Sequence, residues 1–251
     1  MEAEELLKKR MTELADKAFQ QSMYTHTSFL SLAEQSLYYE METKLSYAHG
    51  KLYSGYGYGE RKVLMFGSEA LFGYEIEPPI VCLRIEPLAK KFSEPLTHRD
   101  YLGAILNLGM ERECIGDILV EEDGAYVFCL ETMADYIQKE MTRIRHTAVM
   151  AKPVMGEELD IQPKFKKIEG FVASFRLDTV ISLGFGLSRK ESAAYIQGKR
   201  VFINGKLTEN NGKTLNEGDI ISVRGLGKII FSEIRGQSKK GRFSVVIQKF
   251  I

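Results

Sequence analysis

The sequence predicts an α+β chain in three parts. An N-terminal helical or α+β segment covers residues 1–78, a ferredoxin-like βαββαβ domain covers 79–163, and a basic module of two short helices on a small curled sheet covers 164–251. Three observations carry this division. The central stretch alternates strand-type and helix-type patterns in the order β-α-β-β-α-β. Pro153, Gly156 and Pro163 interrupt the pattern after it. The charge changes sign at the same place: residues 1–163 hold 17 Lys+Arg against 27 Asp+Glu, net −10, whereas 164–251 hold 17 against 7, net +10. A formal charge of zero therefore hides an acidic part and a basic part, and the basic part suits a polyanion.

A chain of 251 residues can bury more than one core. No run approaches the roughly 18 apolar residues of a membrane span, and the opening MEAEELLKKR is charged where a signal peptide is apolar. The expected location is cytoplasmic, with no membrane partner. Cys82, Cys114 and Cys129 are odd in number and form no C-x-x-C pair, so they are expected in the core, with neither a disulfide framework nor a zinc site. His26, His49, His98 and His146 lack the spacing of metal ligands. No cofactor is expected.

Along the chain, Leu7, Met11, Leu14, Ala15 and Ala18 recur at three- and four-residue steps and predict a first helix. A second helix is expected over Ser28 to Tyr47. The stretch SGYGYGERK (54–62) is rich in glycine, but a dinucleotide loop needs G-x-G-x-x-G after a strand and before a helix. Here the expected order is the reverse, helix before and the strand-like VLMF (63–66) after, so Gly55, Gly57 and Gly59 are expected in a flexible turn.

In the central domain, IVCLRIEP reads as a strand. LTHRDYLGAILNLG reads as a helix, with Thr97 as N-cap, Asp100 at its third position and Gly109 as its stop. IGDILV and AYVFCLE form a hairpin about EEDG, ETMADYIQKEMTRI is the second helix, and HTAVMAKPV the last strand. RNA-recognition motifs share this order, yet AYVFCLE offers only Tyr126 and Phe128, without the basic residue their binding strand carries. Core packing is therefore the expected role of these rings. The segment Pro153 to Gly170 is expected to be a linker or connecting edge.

In the basic module, RLDTVISLG predicts a helix with Leu177, Val180 and Ile181 on one face and Gly184 at its end. SRKE then announces a second helix: Ser188 caps it, Glu191 returns to the Ser188 N–H, Ala193 and Ile196 face inward, and Gly198 closes it. RVFINGKL is a hairpin turning at Asn204-Gly205, the dipeptide that best tolerates positive φ at both central positions. DIISVRG, KIIFSEI and RFSVVIQKF supply further strands. Arg189 and Lys190 are the anomaly, because cations at a helix start oppose the macrodipole by a few tenths of a kcal/mol. A phosphate docked there would face both side chains and the free backbone N–H groups together. Lys199, Arg200 and Lys206 at the helix exit and hairpin could extend that patch. The bland alternative is solvated surface charge.

Arg176-Leu177-Asp178, Ser188-Arg189, Ala193, Ile196, Gly198-Lys199, Val201, Asn204-Gly205-Lys206 and Gly218-Asp219 resemble, in order, the S-four-type RNA-binding domain, or alpha-L motif. The resemblance implies that the second helix and the following hairpin face RNA. By position it assigns RNA contact to Arg189, Lys190, Lys199, Arg200 and Lys206; Arg176, Ser188, Asn204 and Arg224 are expected RNA-binding residues beside them, while Asp178 is expected to pair with a cation or cap its helix. LTHRDYLGAILNLGMERECIGDIL resembles the middle domain of the YlmH family, in which an RRM-like fold precedes such a module. The N-terminal part departs from that pattern, with FLSLAEQ where relatives often carry a proline-containing segment. The resemblance implies a non-catalytic protein that binds structured ribosomal RNA, possible tRNA included, at the large ribosomal subunit during rescue or quality control of stalled peptidyl-tRNA complexes.

Two alternatives stand beside this. Pseudouridine synthases carry similar modules and an RLD signature, normally G-R-L-D-x-x-T-x-G; here Phe175 precedes Arg176 and Ile181 replaces the Thr, so catalysis by Asp178 is not expected. His98-Arg99-Asp100 likewise lacks the Asn and D-F-G of a kinase and reads as a helix first turn. The second alternative is an adaptor, for example in cell division, with the acidic N-terminal half docking a protein partner.

Overall fold

The computed structural model describes residues 2–89, 93–154, 163–238 and 241–251. They form two compact units, Met1–Ile161 and Gln162–Ile251.

In the first unit, α1 (Glu2–Gln21) buries Met11, Leu14, Ala15 and Ala18, the apolar stripe that its sequence periodicity dictates. The next element corrects the expected second helix. Thr25–Leu30 is a strand, β1, because THTSFL alternates inward and outward and is β-branched or aromatic at Thr25, Thr27 and Phe29. Thr25 Oγ1 donates to Leu14 O at 2.8 Å and Thr27 Oγ1 accepts from Leu64 N at 3.0 Å, so both hydroxyls fix the strand against its neighbours. The helix α2 (Leu32–Met41) begins only after Ser31, in a capping box with Glu34.

β2 (Lys51–Tyr53) and β3 (Lys62–Phe66) complete a three-stranded sheet in the order β1-β3-β2. The short helix α3 (Glu69–Phe72) follows. The glycine stretch thus follows a strand and joins two antiparallel strands. It is also a close-packed connection: a Cβ on Gly55 would lie 1.8 Å from Cδ1 of Phe128, which only glycine avoids.

The ferredoxin-like order appears as expected. β4 (Ile80–Pro87), α4 (His98–Asn107), β5 (Ile115–Glu121), β6 (Gly124–Leu130), α5 (Glu131–Glu140) and β8 (Thr147–Pro153) follow in sequence, with a two-residue strand β7 (Arg143–Ile144) taken from the end of the expected second helix. The sheet runs β5-β6-β4-β8-β7. On one face Leu83, Ile85 and Val127 pack with Tyr101 and Ile105 of α4 and Ile137 of α5. On the other, Cys82, Phe128 and Leu130 pack with Phe29 of β1 and Val63 of β3. Tyr56 stacks on Phe128 at 5.3 Å between ring centroids. The two sheets are thereby joined back to face through one apolar cluster.

In the second unit, Phe165–Val172 is a strand, β9, where a linker was expected; it pairs along its length with β14 (Phe243–Phe250). Among the described residues the linker shrinks to Val154 and the residues around Pro163; Gly156 lies outside them. α6 (Leu177–Phe185) and α7 (Arg189–Gln197) precede β10 (Val201–Ile203), β11 (Lys206–Leu207), β12 (Ile220–Val223) and β13 (Gly227–Gln237). The sheet order is β11-β10-β12-β13-β14-β9. Leu177, Val180, Ile181 and Ile196 meet Ile221, Ile229, Phe231 and Ile247 in its core. Two glycine and alanine assignments change. α6 continues through Gly184, where a Cβ would sit 2.7 Å from Ile229 Cδ1, and stops at Gly186 with φ 68°. On α7 the buried inward residue beside Ile196 is Ser192, while Ala193 is half-buried.

Among the described residues no helix is long and apolar enough to cross a membrane.

Phe128 is buried and central to the joint between the two sheets. Phe128→Ala is expected to lower the stability of the first unit by about 3–5 kcal/mol, read as a loss of urea midpoint in far-UV circular dichroism, while the transition of the second unit stays in place.

Candidate nucleic-acid interface

The site grows from the turn between α6 and α7. Gly186 takes the left-handed conformation that ends α6, and Leu187 N bonds back to Ser182 O at 3.0 Å. Ser188 then caps α7: its N–H donates to Glu191 Oε2 at 2.8 Å and its Oγ accepts from Glu191 N at 3.2 Å. The Ser188 hydroxyl and then the Ser188 backbone N–H, both directed at the Glu191 carboxyl, hold it below the usual glutamate range. Ser188 is thus committed to the helix, which also accounts for Ser192, whose Oγ donates to Ser188 O.

Arg189 and Lys190 follow as the first two helical residues, both exposed. Their backbone N–H groups have no partner among the described residues, as the start of any α-helix requires. The Arg189 side chain turns back to α6 and donates from Nη2 to Thr179 Oγ1 at 3.3 Å. Thr179 Oγ1 in turn lies 3.4 Å from Asp178 Oδ1, which accepts from Arg176 Nε at 3.1 Å, with Nη2 of the same arginine 3.3 Å from Oδ2. Arg176 and Arg189 therefore belong to one network around Asp178. Asp178 is nearly buried and sits in the first turn of α6, where a carboxylate also suits the macrodipole.

A second group of cations forms at the other end of α7. Lys199 adopts φ 56°, a left-handed turn in a non-glycine residue, and its Nζ lies 3.7 Å from Glu209 Oε1. Arg200 stands over the Tyr195 ring at 5.7 Å. Its carbonyl accepts from Arg224 N at 2.8 Å, which brings the two arginines side by side. The hairpin tip is built by Asn204 (φ 50°) and Gly205 (φ 82°). Asn204 Nδ2 donates to Asp219 Oδ1 at 2.8 Å and its Oδ1 accepts from Ile220 N at 2.9 Å, so this side chain shapes the turn. Lys206 stands exposed just beyond it.

The nine residues named from sequence thus divide by task. Ser188 and Asn204 build the scaffold. Arg176, Arg189 and Lys190 gather at the start of α7; Lys199, Arg200 and Arg224 gather at its exit; Lys206 stands apart, exposed at the start of β11. The two groups are separated by about 12 Å of helix, at 1.5 Å per residue, so no single phosphate can bridge them. Thr179, Tyr195 and Glu209 were not read from sequence. Only proximity in the fold reveals them.

The other motifs resolve into structure. Phe128 of the central sheet is buried beneath Phe29 and Tyr56, and Tyr126 carries the Arg84 guanidinium at 4.7 Å. The face on which an RNA-recognition motif stacks bases is therefore filled. Asp100 accepts from Thr97 N and Oγ1 at 2.8 and 2.7 Å, as a helix first turn demands. Cys82 and Cys129 are buried, with burial pushing both thiols to about 12; Cys114 is half-buried and also raised by burial.

Residues 80–158 match the family described as "Putative RNA-binding domain in YlmH", and residues 175–221 match the S4 domain. The ribosome-associated protein quality control protein P2 of Bacillus subtilis is 28% identical over 196 residues, which span 78% of this chain and 76% of that protein. The small ribosomal subunit protein uS4 of Saccharophagus degradans is 32% identical over 106 residues, 42% of this chain and 45% of its own length. A solved structure described as cell division protein ylmH from Streptococcus pneumoniae has a TM-score of 0.47 at 20% identity, covering 61% of this chain and 92% of that one.

Because the Glu191 carboxyl is held below its usual range in the folded chain, its contribution to the second unit is complete above the unfolded glutamate range and is lost as pH falls through the folded value. The urea midpoint of that unit is expected to fall slightly as pH drops below the unfolded glutamate range, the effect being small because the box is exposed to solvent, and Glu191→Gln, which keeps an acceptor for the box, to flatten this dependence. Ser188→Ala is expected to cost the unit about 1 kcal/mol at neutral pH.

Proposed function

We propose that the chain, which matches the putative RNA-binding domain in YlmH over residues 80–158 and the S4 domain over 175–221, is a YlmH-type, non-catalytic RNA-binding protein of the ribosome. On this reading it engages structured ribosomal RNA, with tRNA beside it, at the large subunit, and serves rescue or quality control of stalled peptidyl-tRNA complexes in the cytoplasm. Ribosome association and quality control are what the name of the B. subtilis relative supports; the large subunit and the stalled peptidyl-tRNA complex follow from the family resemblance. The observation that carries the RNA contact is the arrangement of α7: free N–H groups with Arg189 and Lys190 at one end, Arg200 beside Arg224 at the other. Backbone phosphates dominate such binding, and two cation groups a fixed distance apart read the shape of a folded RNA more than its sequence.

Catalysis by Asp178 is disfavoured by its surroundings. Its carboxylate is occupied by Arg176 and neighboured by Thr179, and it is nearly buried. A pseudouridine synthase needs an aspartate open to the base.

Arg189→Ala combined with Lys190→Ala is expected to weaken binding of the full chain to ribosomal RNA and to reduce the slope of log affinity against log salt by about two. Arg200→Ala with Arg224→Ala is expected to lower the slope by a similar amount. Filter binding or fluorescence anisotropy across a salt series reads both, and unchanged slopes in either pair remove that end of α7 from the interface.

A further inference from the structure

The acidic unit holds an open cleft of about 450 Å³ whose lining includes Tyr24, Lys51, Tyr53, Ser68, Glu69 and Glu75. Three of its properties converge on a cationic ligand. First, the carboxylates: Glu69 and Glu75 are exposed, and among the described residues neither side chain has an ion-pair or hydrogen-bond partner. Burial, then Glu75, then the neighbouring phenols and Glu69 hold the Tyr24 hydroxyl above its ordinary range, which places these groups around one point. Second, the rings: Tyr24 is fixed edge-on to Phe72 and Tyr74 at 5.2 and 5.4 Å, with its hydroxyl donating to Tyr74 O at 2.7 Å. The Tyr53 ring already receives an ammonium, that of Lys51 at 4.9 Å. Preset aromatic faces beside unpaired carboxylates favour a cation over an anion.

The third property is the backbone. β2, which carries Lys51 and Tyr53, is an edge of its sheet and among the described residues pairs with β3 alone. An extended segment laid along this edge would present alternate side chains on the face that Lys51 and Tyr53 share. Net charge favours the same partner: residues 1–163 carry 17 Lys+Arg against 27 Asp+Glu, which attracts a basic protein segment and repels a nucleic acid.

We propose that this cleft binds an arginine-bearing extended segment of a partner protein, its backbone along β2 and its guanidinium between Glu69 and Glu75, where it displaces the exposed Lys51 ammonium from the Tyr53 ring into solvent. A guanidinium fits better than an ammonium because its planar fork can stack on a ring and meet a carboxylate at once. The site is independent of the RNA contacts on α7.

The test is an NMR titration of the full chain with a blocked peptide of serines and threonines carrying one central arginine, against the same peptide with citrulline. Saturable shifts at the amides of Lys51, Tyr53, Ser68, Glu69 and Glu75 are expected with arginine, with about tenfold weaker binding for citrulline. Glu69→Gln with Glu75→Gln, both exposed positions, should weaken the arginine peptide about tenfold as well, whereas Glu2→Gln, Glu4→Gln and Glu5→Gln on α1 should leave it unchanged. Equal binding of the citrulline peptide, no saturable shift, or equal loss in the α1 variant overturns the proposal. So does displacement by adenosine monophosphate, which would mark a nucleotide site. Arg189→Ala with Lys190→Ala should not move the peptide titration, so failure here and failure of the RNA reading remain separate.

Discussion

The first unit depends on one shared apolar face. Phe29 and Val63 of the three-stranded sheet meet Cys82, Phe128 and Leu130 of the central sheet, and each large side chain buried there contributes about 1.5–3 kcal/mol. With α4 and α5 on the opposite face, the central strands are covered on both sides. This explains why β6 has so little polar alternation, and why Cys82 and Cys129, on adjacent strands but opposite faces, are both buried. A sheet of this topology can stack bases only on its open face, and here that face holds a second sheet. Arg61 seals the joint, donating to Phe29 O at 2.7 Å and Ile115 O at 3.0 Å.

The basic unit reaches the opposite outcome with similar parts. Its sheet is covered by α6 and α7 on the inner face, and the helices themselves present the cations. Part of the surplus positive charge is answered internally, as Lys167 and Arg235 converge on Glu169 at 2.8 and 2.9 Å. Such exposed pairs contribute about 0–1 kcal/mol each, so their effect is on the distribution of charge more than on stability. Positive potential is left where α7 begins and ends.

Much of this was legible in the sequence where the signal was local. The capping boxes at Thr97 and Ser188, the Asn204-Gly205 turn and the βαββαβ order depend on neighbours within a few residues, and each appears in the fold. The departures are long-range. β1 was hidden because Phe29, Leu30 and Leu32 fit a helical stripe as well as a strand, and the outcome was set by Thr27 pairing with Leu64. β9 was hidden because FKKIEGFV is lysine-rich, as an exposed edge strand often is, and its partner β14 lies at the far end of the sequence. Gly55 and Gly184 resembled a turn and a stop; both are places where another side chain passes too close for a Cβ. In the site, the cations were readable from charge and resemblance, whereas Thr179 and Glu209 enter only through folding.

The separation of the two cation groups by a single short helix gives α7 the character of a caliper. Its jaws are Arg189 with Lys190 and Arg200 with Arg224, and the rod between them is stiff because both ends are locked, by the Ser188 box and by the left-handed Lys199. One inserted residue would turn one jaw by about 100° relative to the other, since a helix has 3.6 residues per turn. On the RNA-binding reading proposed above, the length of α7 is therefore as much a part of recognition as the charges it carries, and drift in that length would change which RNA fits while leaving every charge in place.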